Sequence, residues 1–202
     1  MQLIGMLDSP YVRRTAISLK LLGLPFEHRS VSVFRNFEEF RRINPLVRAP
    51  TLVCDDGEVL CESTLILDYL ERLAGKSLMP EDARQHRQGL RLLGIALTAC
   101  DKTAQIVYER EQRPPEKLHQ PWVDRVHLQL GDACRLLETA AMTARPWLLG
   151  ERLSQADVTT AVAWTFIQYY VSDLIKPAQC PVLAAWTARA ERLPEFLSTP
   201  LP

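Results

Sequence analysis

The chain carries no surplus of either charge: 24 Lys and Arg stand against 24 Asp and Glu among 202 residues. No overall field draws it to nucleic acid or to an anionic membrane, and neither is expected as a partner. No apolar run approaches the ~20 residues that span a bilayer. Residues Met1 to Met6 lack the basic segment and long apolar core of a secretory leader, so a cytoplasmic protein is expected. The cysteines, Cys54, Cys61, Cys100, Cys134 and Cys180, are odd in number and widely spaced, with no C-x-x-C pair and no Cys/His cluster. They read as reduced core residues, and no metal is expected. Also absent are a phosphate-binding glycine loop, a Ser/His/Asp arrangement with hydrolase spacing, internal repeats and low-complexity segments.

What is present is enough apolar content, 47%, to bury a core in one large or two small domains. Leu3 to Leu7 reads as a short buried strand, and a helix follows from Val12 to Leu22, stopped by Gly23-Leu24-Pro25. A strand around Glu27 to Val33 precedes a charged, aromatic loop and short helix ending at Asn44-Pro45. Thr51 to Cys54 and Glu58 to Cys61 form a hairpin around Asp55-Asp56-Gly57. A two-residue loop at Asp56-Gly57 sets Cys54 opposite Val59 and Cys61 opposite Leu52, so no cross-strand disulfide is implied. Ser63 is expected to cap a helix running to about Ala74, with Gly75 as its stop. The order β-α-β-α-β-β-α predicts a four-stranded mixed sheet covered by helices, the thioredoxin-like order, over residues 1–75.

Strand signals vanish beyond a linker at 76–82, and residues 83–202 are expected to form an all-helical second domain. Leu90, Leu93, Leu97, Cys100, Ala104 and Val107 alternate by three and four on a helix of about 28 residues, ~42 Å long. Val123, Val126, Leu130, Ala133, Leu137 and Ala140 repeat the pattern after Pro114, Pro115 and Pro121, predicting an antiparallel pair. In Leu153-Ser154-Gln155-Ala156-Asp157-Val158, Ser154 caps, Asp157 reaches back and Leu153 can staple to Val158. The helix that follows is apolar on more than one face and should run through the domain centre, and a last helix spans Pro181 to about Leu193.

The densest chemical signal is Asp8-Ser9-Pro10-Tyr11-Val12-Arg13-Arg14, where a strand gives way to a helix with a hydroxyl at the junction. Ser9 is a preferred N-cap and Pro10 suits the first helical position. Arg13 and Arg14 put two cations near the positive end of the helix, an arrangement that costs about 0.3–1 kcal/mol per charge and favours a bound anion.

With a thioredoxin-like first part and an all-helical second part, these junctions resemble the cytosolic glutathione transferases over essentially the whole chain. Ser9-Pro10-Tyr11-Val12-Arg13-Arg14 is similar to the serine-type motif of bacterial members. Asn44-Pro45 followed by Ala49-Pro50 resembles the family's N-P-x-x-x-x-P, whose second proline is cis. Glu62-Ser63 is similar to its acidic-serine pair, and Leu153 to Asp157 to its capping box.

The resemblance implies that Ala49 pairs through its backbone with the cysteinyl part of glutathione, and that Glu62 and Ser63 hold the γ-glutamyl end. Free N–H groups at a helix start suit a carboxylate, and Glu62 can receive an ammonium. Ser9 would donate a hydrogen bond to the sulfur, with Phe34 and Arg48 as further glutathione contacts. A small hydrophobic electrophile, the second substrate, would sit over the sulfur, with Tyr11, Tyr108 and Trp164 as candidate walls. The family also implies a homodimer and detoxification chemistry. Asp8, a carboxylate beside the sulfur site, keeps open a non-catalytic binding protein built on the same fold. A glutathione-dependent reductase is the other alternative, although reductase-type members usually carry cysteine where Ser9 stands.

Overall fold

Leu3 and Ile4 have no exposed surface and make β1 (Gln2–Ile4) an inner strand of the sheet. A computed structural model describes residues 1–202, which divide into two units, Met1–Leu78 with Arg192–Pro202, and Met79–Glu191. In the first unit β1 is followed by α1 (Pro10–Leu22), β2 (Glu27–Arg29), α2 (Phe37–Ile43), β3 (Thr51–Val53), β4 (Val59–Cys61) and α3 (Ser63–Ala74). The sheet runs β2-β1-β3-β4, with β1 and β2 parallel and the other pairs antiparallel. Leu3, Leu52, Val12, Ala16, Leu19, Ile66 and Leu70 form the layer between the sheet and the α1–α3 pair, while Ile4, Val31 and Phe40 seal α2 on the opposite cluster. Gly23 and Gly75 end α1 and α3 in the left-handed conformation, at φ 72° and 62°, which glycine adopts without a Cβ clash.

The hairpin register differs by one residue from the two-residue-loop expectation. Cys61 lies opposite Thr51 and Leu60 opposite Leu52, and Cys54 N–H donates to Glu58 O at 2.9 Å. The loop is the three residues Asp55-Asp56-Gly57, with Gly57 at φ 90°, so one more residue leaves the ladder. All five cysteines are free thiols. The β2 strand is also shorter than expected, because Ser30 onward turns into the α2 connection.

The second unit contains α4 (Ala83–Glu111), α5 (Gln120–Met142), α6 (Gln155–Val171) and α7 (Pro181–Ala190), with single 3-10 turns at Pro115–Lys117 and Pro177–Gln179. Helix α4 packs against both α5 and α6, and α7 closes on α5 and α6. The centre of the α5 seam, Val126, Leu130, Ala133 and Leu137, is as read, while Cys134, Glu138 and Ala141 widen it and Val123 and Ala140 are only half-buried. On α4 the buried stripe is Gly89, Leu92, Leu93, Ala96, Ala99, Cys100, Thr103 and Ile106, whereas Leu90 is 53% exposed. A helix with two neighbours needs a broad stripe, and small residues supply part of it where helices approach closely.

The α6 start is as the sequence predicts. Ser154 N–H and its hydroxyl donate to Asp157 Oδ2 at 2.8 and 2.5 Å, and Leu148 N–H donates to Oδ1 at 2.7 Å. Burial pushes the Asp157 carboxyl up from its ordinary range, against the pull of those hydrogen bonds. The last stretch departs from the expected second domain. Arg192–Pro202, including the short helix α8 (Pro194–Leu197), belongs to the first unit and packs on α1.

Candidate functional site

Ser9 has extended backbone, φ −69° and ψ 122°, and caps α1. Its Oγ accepts from Val12 N–H at 3.5 Å, the limit of a hydrogen bond, while its carbonyl takes Arg13 N–H at 2.9 Å. The hydroxyl proton is therefore not used by the cap, because in that bond the oxygen only accepts. Pro10 occupies the first helical position, where no N–H is needed.

Two other segments meet the first turn of α1. Gly5 is buried at φ 135°, and a methyl group on it would lie 2.6 Å from Val12 Cγ2 and 3.0 Å from Ala49 Cβ. This close packing sets Ala49 against the β1–α1 loop. The Ala49-Pro50 peptide is cis, as the family resemblance implies. Asn44 and Thr51, 4% and 0% exposed, brace that segment from behind: Asn44 Nδ2 donates to Thr51 Oγ1 at 2.8 Å, and Thr51 Oγ1 donates to Arg48 O at 2.7 Å. Asn44 Oδ1 also accepts from Leu46 N–H at 3.0 Å.

At the start of α3 the cap is Glu62 rather than Ser63. Glu62, at φ 74°, accepts from Thr64 and Leu65 N–H at 3.1 and 3.3 Å through Oε2. A carboxylate there meets two free donors and the positive helix end at once, which a hydroxyl at that position could not match. Ser63 is the first helical residue, 1% exposed, and its Oγ accepts from Arg14 Nη1 at 3.0 Å.

The two arginines do not stand open to an anion at the α1 start. Arg13 is 2% and Arg14 1% exposed. Arg13 Nε donates to Thr199 O at 2.8 Å, and its guanidinium lies 5.8 Å from the Phe196 ring centre. Arg14 reaches Ser63 and, at 3.4 Å, Thr64 Oγ1. They pin α1 to α8 and to α3, which is where the charge that looked misplaced along the sequence is used.

Phe34 is exposed in the β2–α2 loop, its N–H held by Ser32 Oγ at 3.2 Å, and the neighbouring Arg35 Nη2 contacts Met6 Sδ at 3.4 Å. Arg35 thereby ties that loop to the residues preceding Ser9. Arg48 is exposed, with its carbonyl engaged by Thr51. Tyr11 is half-buried on α1 in the first unit, Tyr108 is half-exposed on α4, and Trp164 is 4% exposed in the interior of the second unit. Sequence reasoning missed Gly5, Arg35, Asn44 and Thr51. Asn44 stood within the N-P-x-x-x-x-P motif and carried the one available signal.

Around the first turn of α1 there are thus a hydroxyl with an unspent proton, a braced backbone segment ending in a cis proline, and a helix start capped by a carboxylate. No group of three or more His, Cys, Asp or Glu side chains could hold a metal ion. No helix is long and apolar enough to cross a membrane.

Residues 3–78 match the family model of the glutathione S-transferase N-terminal domain, and residues 120–189 match that of the C-terminal domain. The chain is 29% identical over 116 residues to the uncharacterized glutathione-transferase-like protein YibF of Escherichia coli. That alignment covers 57% of this chain and 56% of YibF, so it spans about half of each. It is 25% identical to glutathione transferase GST 23 of Zea mays, covering 95% of this chain and 96% of that one. A glutathione S-transferase of Methylobacterium radiotolerans, solved in complex with glutathione sulfonate, superposes with TM-score 0.91 at 27% identity, over 100% of this chain and 95% of its own. A glutathione transferase family member of Pseudomonas fluorescens with bound glutathione superposes with TM-score 0.86 at 28% identity, over 100% and 98%.

Proposed function

We propose, from the premise that this chain belongs to the glutathione S-transferase family, that it is a glutathione transferase adding the glutathione thiolate to a small hydrophobic electrophile. The observation that carries the reading is the Ser9 hydroxyl, whose proton is not used by the helix cap. Ser9 uses that proton to donate a hydrogen bond to the sulfur, while the proton of the glutathione thiol leaves to solvent. A thiol of pKa ~8.5 is about 3% ionised at pH 7, and lowering its pKa by two units takes ~2.7 kcal/mol of preference for the anion. A hydrogen bond to a charged group supplies about 1.5–3 kcal/mol, and the α1 start adds to it. Serine stays protonated throughout; it stabilises the thiolate and takes no proton.

The rest of the tripeptide follows the polar features in turn. The Ala49 backbone pairs with the cysteinyl unit, and the α3 start with Ser63 takes the γ-glutamyl carboxylate. The free Oε1 of Glu62 receives the ammonium, Phe34 and Arg48 lie along the glycyl and cysteinyl parts, and Tyr11 and Tyr108 remain candidate walls for the electrophile, whereas Trp164, buried inside the second unit, is a core residue and not a wall. A homodimer in a reducing, cytoplasmic setting completes the reading; five free thiols are compatible with it.

Calorimetric titration with glutathione and an ultraviolet thiolate titration of the bound tripeptide test the reading together. Wild type should bind glutathione and hold its thiol pKa one to two units below that of Ser9→Ala, by the ~1.5–3 kcal/mol of the lost hydrogen bond. Binding with equal thiol pKa values in both proteins would reduce Ser9 to a cap and leave a glutathione-binding protein without the transferase step. No heat at millimolar glutathione would remove the glutathione reading altogether.

A further inference from the structure

A crevice of about 150 Å3 opens in the first unit, lined by Leu7, Ala16, Lys20, Phe26 and His28 and walled on one side by Ser198 and Thr199. It shares no residue with the proposed glutathione site. Lys20 stands eleven residues beyond Ser9 on α1, ~16 Å away at 1.5 Å per residue. We propose that this crevice is a separate binding site for a small aromatic monocarboxylate, a molecule of the size and charge of benzoate.

The chemistry of the walls sets the ligand class. Leu7, Ala16 and the ring of Phe26 make the apolar side of an open crevice whose other side is polar, and its volume of about 150 Å3 is of the size that takes a benzene ring. His28 is immobilised: its Nε2 lies 2.7 Å from Gly5 O, and since a carbonyl can only accept, that nitrogen carries the proton and the ring is held as a flat wall. The C-terminal wall has spent its protons. Ser198 Oγ donates to Pro194 O at 2.7 Å and Thr199 Oγ1 to Glu195 O at 2.9 Å.

The wall is also preformed, because Phe196 and Thr199 are 1% and 2% exposed and Arg13 holds the Thr199 carbonyl. The charged group at the crevice is the Lys20 ammonium. It is half-exposed, lies 5.8 Å from the centre of the Phe26 ring, and has no carboxylate partner. One cation beside the apolar side matches one carboxylate on one ring. A dianionic phosphate would leave a charge unmatched and press polar oxygens against that side, which is costly without hydrogen bonds.

Titrating the full chain with benzoate, benzamide and acetate tests the site. Benzoate should bind saturably and move the backbone amide resonances of Leu7, His28 and Thr199. Benzamide, which lacks the charge, and acetate, which lacks the ring, should each bind at least about ten-fold more weakly. Lys20→Met should lower benzoate affinity about ten-fold, equivalent to ~1.4 kcal/mol. The same variant should leave benzamide and glutathione binding unchanged. Four outcomes overturn the proposal: no saturable benzoate binding, full binding retained by Lys20→Met, equal binding of acetate and benzoate, or shifts centred on Ser9 and Glu62 instead. Because none of these depends on whether glutathione binds, the proposal stands or falls separately from the transferase reading.

Discussion

At Gly5 a single missing side chain lets two loops meet. Its φ of 135° is one that residues with a Cβ rarely adopt, and the methyl group of alanine would collide with Val12 and Ala49. Gly5→Ala should destabilise the first unit by about 1–3 kcal/mol. It should also weaken glutathione binding, because Ala49 must give way. Urea unfolding followed by circular dichroism, with calorimetry for the ligand, measures both. Reactivity of the cysteines is likewise decided residue by residue. Burial pushes the Cys134 thiol up to about 12, with the nearby Cys180 adding to the effect, and burial also raises Cys180 and Cys54. Cys61 is half-buried on the outermost strand β4. In native protein at pH 8 a disulfide reagent should label Cys61 first and Cys134 last, as peptide mapping over time would reveal.

Helix α6 shows what one cap does for an element. Asp157 has no exposed surface, and its carboxylate accepts from Leu148 N–H, Ser154 N–H and the Ser154 hydroxyl. Asp157→Ala leaves two backbone donors buried without a partner and should cost about 2–4 kcal/mol. All four tryptophans, Trp122, Trp147, Trp164 and Trp186, lie in the second unit, so fluorescence during urea unfolding reads this loss directly.

The pair that joins the end of α4 to the residues after α6 behaves differently. Arg110 Nη1 and Nη2 donate to the two Asp173 carboxylate oxygens at 3.1 and 2.9 Å and hold that carboxyl below its ordinary value of 3.8. A depressed folded pKa means the pair favours folding above the unfolded pKa and loses that contribution as pH falls through the folded one. Both side chains are more than one-third exposed, so the effect on stability is small. The shift itself is measurable: an NMR titration should place the Asp173 midpoint below the usual aspartate range, and Arg110→Met should move it back up.

For the whole molecule, the C-terminal segment matters more than its length suggests. It supplies the carbonyl and the ring that receive Arg13, whose own N–H bonds to Ser9. A chain ended after Glu191 leaves that buried guanidinium without the Thr199 carbonyl and the Phe196 ring. It should lose about 2–4 kcal/mol from the first unit. Faster hydrogen exchange across α1, with α4 to α7 unchanged, is the expected signature.

Signals that act within a few residues were legible in the sequence. Gly23 and Gly75 stop helices, Ser9-Pro10 and Ser154 to Asp157 start them, and the turn residues Asp55-Asp56-Gly57 mark the hairpin of β3 and β4, because turns and caps are decided by adjacent backbone groups. These determined the element order, the sheet, and the position of the Ser9 hydroxyl. Other features needed the third dimension. Arg14 finds Ser63 across 49 residues, and Arg13 finds Thr199 across 186. From local rules alone the two arginines read as misplaced charges awaiting an anion.

The α4 stripe shifted because its partners number two, and Glu62 displaced Ser63 as the cap because the chain there turns to φ 74°. The sequence by itself determined which segments become helices and strands and which hydroxyl begins α1. Only the tertiary structure decided what each buried charge meets, since a guanidinium taken out of water must find its acceptors wherever packing brings them.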